Sequence, residues 1–281
     1  MTEQPPALPP VLVVLEGASQ AFPDGDGPVV HDVSLSVDRP EVVAILGPSG
    51  CGKSTLLRMV SGMHPRGVAM PTSGRALIDG AAVTGPHDHV LTVWQKPILP
   101  RTRSVEGIVG LPFKAGLWGH GVKKADRKKR VDEMIAAVGL QDHKRKTPGQ
   151  LSGGMQQRVA LAQALVCHPR IMCLDEPFSA LDPETRRGMQ DLVVDLWAKY
   201  PCVALFVTHD VSEALILADR IVVLSTRPAT VVADIRVEQP KPRPLEWERS
   251  VDHDLLEQRI LRLIRDAKIG DRPHGSIRVE V

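Results

Sequence analysis

Short apolar runs and longer stretches of helical spacing alternate along this chain, and their order predicts its architecture. From about Val11 to Val37, brief apolar runs are broken by Gly, Asp and Pro, a pattern of antiparallel strands joined by turns. The segment Glu41 to Leu46 is short, apolar and rich in β-formers, so it reads as a buried strand. It runs directly into a glycine-dense turn, after which a helix is expected from about Lys53 to Ser61. Between Ser104 and about Leu165 charged and apolar residues recur at helical spacing, interrupted by Gly116, Gly119, Gly121 and the Pro148-Gly149 turn; this predicts a mainly helical insert. Strand-like runs return at Ile171 to Leu174, Val203 to Val207 and Arg220 to Leu224, separated by helical patterns. Strands alternating with helices predict a parallel sheet.

Beyond Thr226 the pattern weakens. A β-like stretch, Val231 to Val237, is followed by the proline-rich segment Gln239 to Pro244, expected to be an extended linker, and then by a terminal helix over Val251 to Ile264. That helix is expected to carry Leu255, Ile260, Leu263 and Ile264 near one face. The first ten residues are proline-rich and expected to be loose, and neither an internal repeat nor a coiled-coil heptad is visible. A length of 281 residues suits one large domain plus a tail. The expected division is 1–10 as a loose segment, 11–238 as the main domain with a helical subdomain over about 96–166, and 239–281 as linker and helical tail.

Composition narrows the function classes. With 43% hydrophobic and 24% charged residues, neither disorder nor a membrane-spanning bundle is suggested. A net charge of +2 gives no broad footprint for nucleic acid, and the basic runs at Lys123-Lys124 and Arg127 to Arg130 read as a solvated helix face. Cys51, Cys167, Cys173 and Cys202 show no paired C-x-x-C spacing, which fits a reducing cytosol. The N-terminus lacks the positive n-region of a secretory signal, and no apolar run approaches the ~20 residues of a membrane-spanning helix, so a membrane role is expected to come through a partner.

The chemistry is concentrated at three places. Gly47, Pro48, Ser49, Gly50, Cys51, Gly52, Lys53 and Ser54, followed by Thr55, fit the phosphate-binding pattern G-x-x-x-x-G-K-[ST] between an expected strand and an expected helix. Glycines let backbone N–H groups close around phosphates, the helix N-terminus adds partial positive charge, Lys53 reaches the terminal phosphates, and Ser54 can hold magnesium. Downstream, the strand Ile171 to Leu174 ends in Asp175 and Glu176, at the sheet edge where α/β proteins bind ligands. Asp175 suits a magnesium shell and Glu176 a general base that polarises the attacking water. Taken alone, an acidic pair after an apolar strand is a loop start; beside the Lys53 loop it reads as functional. The third place is Leu151 to Arg158, where Ser152, Gly153, Gly154 and Gln156 stand at the start of an expected helix through about Leu165.

These motifs resemble those of the ABC ATPases. The segment beginning Leu151-Ser152-Gly153-Gly154 is similar to the family's signature motif, and the resemblance implies that its Ser and Gly bind the γ-phosphate held by an opposite protomer. It further implies a Q-loop role for Gln95, which would sense magnesium and the attacking water while linking to a permease, and a D-loop over Ser179 to Asp182. His209 resembles the switch histidine that contacts the γ-phosphate, and Phe22, the one aromatic residue before Trp94, is the candidate ring for stacking on adenine. A turn-packing role for Phe22 stands beside that reading. The resemblance runs from roughly Val13 to Leu224, with departures at Arg39-Pro40-Glu41, at Trp94 and in the length of Met63 to Ser73.

The implied fold is α/β: an ABC-type P-loop NTPase with a mainly parallel sheet core, an N-terminal antiparallel β subdomain and a helical subdomain. The implied activity is ATP hydrolysis with Mg2+, coupled to transport. Implied partners are a second copy of the chain, transmembrane permease subunits and, indirectly, a solute-binding protein, with no nucleic acid; the implied place is the cytoplasmic face of the inner membrane. Thr208 to Leu215 and Ala218 to Pro228 look most like the nitrate, sulfonate and taurine importers. A DNA-repair ATPase is disfavoured because no long coiled coil splits the two halves; a non-import system such as lipid or drug export is the remaining alternative.

Overall fold

A computed structural model describes residues 13–23, 25–114, 122–269 and 277–279. The expected loose segment 1–10 and the glycines at 116, 119 and 121 lie outside the described residues.

Two sheets organise the chain. Strands β1 (Val13–Ala21) and β2 (Pro28–Val37) form the expected antiparallel pair, and β4 (Ser73–Ile78) and β5 (Ala81–Ala82) extend it in the order β2-β1-β4-β5. Between them in sequence come β3 (Val42–Leu46) and helix α1 (Lys53–Ser61), the latter with the predicted limits. The larger sheet adds β6 (Val90–Val93), β7 (Ile171–Asp175), β8 (Val203–Thr208), β9 (Arg220–Leu224), β10 (Val231–Arg236) and β11 (Ile277–Val279), in the order β11-β10-β9-β3-β8-β7-β6. The strands β6, β7, β8, β3 and β9 are mutually parallel, whereas β10 turns back antiparallel to β9. Every residue of β3 and β8 is buried, as a parallel strand covered on both faces requires.

Because successive strand residues point to opposite faces, the strands feed two separate cores. Val43 and Ile45 of β3, Cys173 of β7 and Leu205 and Val207 of β8 face α1 and the small sheet. Ala44, Leu46, Leu174, Ala204 and Phe206 face the other way, onto helices. Those helices are α2 (Val105–Val109), α3 (Leu111–Lys114), α4 (Lys124–Ala137), α5 (Gly153–Leu165), α6 (Pro183–Lys199) and α7 (Val211–Leu217), followed near the end of the chain by α8 (Leu245–Glu248) and α9 (Val251–Ile269). The helical insert thus begins where expected, with Ser104 as the N-cap of α2, its hydroxyl accepting from the Gly107 N–H. Glu41, only 5% exposed, lies between Arg220 and Arg236 and holds the start of β3 beside β9 and β10. Among the described residues no helix is long and apolar enough to cross a membrane.

Two expectations for the end of the chain need correction. The face of α9 that packs inward carries His253, Leu256, Ile260 and Ala267, with Leu263 and Ile264 partly buried against the same core as expected, while Leu255 is 59% exposed and Leu256 takes its place. The segment from Gln239 to Pro244 is extended but docked. Arg243 is buried, and Lys241 pairs with Asp219 at 2.8 Å. Proline-rich composition signals an extended backbone; it carries no information on whether that backbone is covered. Arg187 of α6 makes a two-pronged pair with Glu248 of α8 at 2.7 and 2.8 Å, and Ser212 of α7 donates to Glu257 of α9 at 3.1 Å.

Candidate nucleotide site

Strands β7, β8 and β3 lie side by side, and their C-terminal ends deliver the candidate residues to one edge of the sheet. After β3 the backbone folds through Gly47 to Gly52 and enters α1 at Lys53. Gly50 has φ of 76° and Gly52 φ of 126°, conformations closed to most L-residues, and a Cβ on Gly52 would lie 3.0 Å from Val30. Gly52 is also the N-cap of α1 and has no side chain to offer, and no acidic residue occupies the first turn. The first N–H groups of α1 therefore keep their unbalanced positive end, whereas α5, α6 and α7 are capped by Ser152, Asp182 and Asp210. Lys53 is 5% exposed and its amine donates to the carbonyls of Gly47 at 2.8 Å and Pro48 at 2.9 Å. Ser49 and Gly50 are exposed at the tip of the loop, while Cys51 and Thr55 are buried beneath it. Burial pushes the Cys51 thiol up, so it acts as an apolar filler under the loop.

The acidic pair meets this loop directly. The Ser54 hydroxyl donates to Asp175 Oδ1 at 3.0 Å, joining α1 to the end of β7. Burial raises the Asp175 carboxyl above its ordinary value; the Ser54 hydrogen bond opposes this and the neighbouring Glu176 adds to it. A hydroxyl and a carboxylate in contact, with a second carboxylate beside them, make an oxygen donor set suited to Mg2+. Glu176 has φ of 44°, a strained left-handed conformation for a non-glycine residue, held by its N–H on the Val207 carbonyl at 3.0 Å. Its Oε2 lies 3.3 Å from Nδ1 of His209. The Glu176 carbonyl accepts from the Ser179 hydroxyl at 2.9 Å, and that hydroxyl in turn accepts from Gln95 Nε2 at 3.0 Å.

Lys53, Ser54, Asp175, Glu176, His209 and Gln95 are thus gathered at one sheet edge, and Ser179 is the joint between Gln95 and Glu176. Ser152, Gly153, Gly154 and Gln156 stand apart, at the start of α5. Their hydrogen bonds stay local: the Ser152 hydroxyl accepts from the Met155 N–H at 3.3 Å, and Gln156 Nε2 donates to the Pro148 carbonyl at 3.1 Å. Ser152 and Gly153 are exposed, while a Cβ on Gly154 would strike Thr185 of α6 at 2.6 Å. Phe22, after β1, is half-buried against the smaller core.

A second group of residues escaped the reading of the sequence. Thr208 donates to Glu213 Oε2 at 2.7 Å, and Asp210 accepts from the Glu213 N–H at 3.2 Å, so the start of α7 is held on both sides of His209. Arg186 of α6 lies 3.6 Å from Asp210 and 3.8 Å from Glu213. The signal was present, since Asp210 followed three residues later by Glu213 is a capping-box spacing.

Comparison with known proteins agrees with this geometry. Residues 30–179 match the family described as "ABC transporter". The chain is 39% identical to the nitrate import ATP-binding protein NrtD of Synechococcus elongatus, over 83% of both chains. It is also 39% identical to the aliphatic sulfonates import ATP-binding protein SsuB 2 of Burkholderia cenocepacia, over 96% of this chain and 92% of the relative. Among solved structures it resembles the ATP-binding cassette MJ0796, described as a dimeric post-hydrolysis state bound to ADP and Pi, with a TM-score of 0.66 and 28% identity over 83% of this chain and 99% of that one. With an α/β fold of the same kind and a glycine loop, an acidic pair and His209 at one sheet edge, this chain belongs to the ABC transporter family, as an ATP-binding, ATP-hydrolysing subunit.

Proposed function

We propose that two copies of this chain close around two ATP molecules and so drive import of a small oxyanion such as nitrate or a sulfonate, or of the related solute taurine. The domain over 11–238 does this work, with the helical subdomain over about 96–166 presenting Ser152, Gly153, Gly154 and Gln156 to the partner copy. The observation that carries the reading is the chain of contacts from Gln95 through Ser179 to Glu176 and His209, adjoining the Ser54–Asp175 pair. The solute class rests on the names of the relatives, which are import proteins for nitrate and aliphatic sulfonates.

In this mechanism the Gly47–Gly52 loop and the open start of α1 bind the phosphates, Lys53 neutralises the terminal ones, and Phe22 packs against adenine. Ser54, Asp175 and Gln95 hold Mg2+, which when bound offsets the negative charge that gathers on the phosphate oxygens. Glu176 accepts a proton from water as the water oxygen bonds to the γ-phosphorus. The bond from that phosphorus to the β–γ bridging oxygen breaks, the bridging oxygen keeps the electron pair in ADP, and phosphate leaves. His209, beside Glu176, donates to a γ-phosphate oxygen and orients the base. The chain works at the cytoplasmic face of the inner membrane, bound to permease subunits that a solute-binding protein supplies. A groove of about 340 Å³ that follows Gln95 in the chain, lined in part by Trp94, Pro97, Ile98 and Leu99, receives the permease.

Sharing of sites between copies is tested by complementation. Lys53→Ala and Ser152→Arg chains, each also carrying Glu176→Gln to block turnover, have two damaged sites in either homodimer. A mixed dimer concentrates both lesions in one site and leaves the other whole. ATP-dependent dimers detected by cross-linking should return on mixing. If dimers stay absent while the Glu176→Gln control dimerises, the shared-site mechanism is wrong.

A further inference from the structure

His209 sits at the junction of β8 and α7, and α7 is a helix of 7 residues whose position decides where the imidazole goes. A helix this short cannot hold its own place, because most of its carbonyls lack partners within it. Its near end is fixed by Thr208, Asp210, Glu213 and Arg186, as described above. Its far end is fixed by the chain's C-terminal region. Arg243 Nη1 donates to the carbonyl of Leu215 and Nη2 to that of Ala218 at 2.7 Å, while Lys241 Nζ donates to the carbonyl of Leu217 at 3.1 Å. Arg243 is 7% exposed, its third contact is Nε on the Gln239 carbonyl at 3.0 Å, and its guanidinium stacks over Trp247 at 5.3 Å.

A buried cation whose hydrogen-bond partners are carbonyl oxygens carries a desolvation cost, and burial pushes Arg243 down to about 10. Two of those carbonyls lie at the C-terminal end of α7, where the helix dipole favours a cation. The same corner also touches the start of β3. Lys241 pairs with Asp219, whose Oδ2 accepts from the Val42 N–H at 2.8 Å, and Val42 begins β3, the strand whose other end runs into the glycine loop. A free linker would need neither the cost nor the geometry.

We propose that Arg243 is a positioning residue for ATP hydrolysis: by capping the far end of α7 it sets the orientation of that helix and hence the place of His209 beside Glu176. The segment 239–244 is therefore part of the hydrolytic apparatus, although it lies outside the stretch that matches the family. This rests on the reading of His209 as a group that acts in hydrolysis, and the two claims separate experimentally.

The test is a double-mutant cycle in the full-length chain purified with its permease, using Arg243→Met, His209→Ala and the double variant. ATP turnover is followed by release of radiolabelled phosphate, so that residual rates are measurable, and ATP affinity is measured alongside. Arg243→Met should lower kcat by about ten- to a hundredfold, the scale of a misplaced catalytic group, and leave ATP affinity within about threefold. Arg243→Lys, which keeps the charge and offers its donors from a single nitrogen, should recover part of the rate. In the His209→Ala background Arg243→Met should cost nothing further. An equal loss in both backgrounds, or a loss of ATP affinity that matches the loss of rate, assigns Arg243 a general structural role and overturns the proposal. An unchanged kcat in His209→Ala overturns the reading of His209 itself, and the proposal with it. If Arg243→Met does not fold, the same cycle is read on Arg243→Lys, where equal loss with and without His209 is again the refuting result.

Discussion

Glu176, the proposed general base, also carries backbone strain, and replacing it by Gln and by Gly separates the two. Its φ of 44° is a conformation that costs an L-residue about 1–2 kcal/mol and a glycine almost nothing. Glu176→Gln keeps this strain, along with the N–H bond to Val207 and the carbonyl bond from Ser179, because both are made by the backbone. It removes only the proton acceptor 3.3 Å from His209. Its folded stability should stay within about 0.5 kcal/mol of the wild type. Its kcat should fall by about 10²–10⁴, the contribution of a positioned general base, or about 3–5 kcal/mol of barrier. Glu176→Gly loses the same chemistry but relieves the strain. Against that gain stands about 0.5–1 kcal/mol of extra unfolded-chain entropy, so the Gly variant should equal the Gln variant or exceed it by up to about 1.5 kcal/mol, where an ordinary site would lose about 0.5–1 kcal/mol. Phosphate release gives kcat, and thermal unfolding of nucleotide-free protein gives the stability order, at roughly 2 °C per kcal/mol for a chain of this size. Near-normal turnover in Glu176→Gln would show that another group activates water. A Gly variant less stable than the Gln variant by about 0.5 kcal/mol or more, the loss of an ordinary site, would refute the strain.

Lys53→Ala should weaken ATP binding by about ten- to a hundredfold, the worth of hydrogen bonds from a charged donor, as read by titration of the folded variant. It should also cost about 1–2 kcal/mol of stability, because the buried amine serves the carbonyls of Gly47 and Pro48. Ile98 is 78% exposed, so Ile98→Asp should alter stability by less than about 0.5 kcal/mol and leave ATP affinity intact while abolishing co-purification of the permease; retained co-purification would move the docking groove elsewhere. Burial raises the Glu213 carboxyl above its ordinary value of 4.5, with the Thr208 hydrogen bond opposing. The folded state then binds more protons than the unfolded one between 4.5 and the raised value, so this group's contribution to stability grows as pH falls through that window. Glu213→Gln should remove that slope, seen as a stability difference from wild type that changes across the window and flattens on either side; a constant difference refutes it.

The parts of the site that follow from local sequence were legible, and those set by packing were not. The glycine loop leading into Lys53, and the apolar strand ending in Asp175 and Glu176, declare themselves because backbone freedom, helix start and strand end are written in neighbouring residues. The inner strands were legible for a related reason: burial on both faces leaves unbroken apolar runs such as Val203 to Val207. Ser179 as the joint between Gln95 and Glu176 was not, since that contact spans 84 positions. Arg243 escaped for the opposite reason. A cation in a proline-rich stretch reads as solvent-facing, and only the carbonyls of Leu215 and Ala218, on another element, give it a buried place. On α9 only Leu255 was misplaced, because apolar residues stand at both Leu255 and Leu256 and helical periodicity alone does not choose between them.

Strand β8 feeds both cores with alternate residues and ends one residue before His209, and this limits how the gene can change length. Loss of one codon within Val203–Thr208 would pull the histidine back by about 3.3 Å and would also turn every residue beyond the cut toward the wrong core. No compensating substitution at one position repairs both faults. The stretch between Ser61 and Ser73, which enters neither sheet, is free of that double penalty. Deletion scanning should therefore find β8 intolerant at every position, while related chains drift in length across the loop.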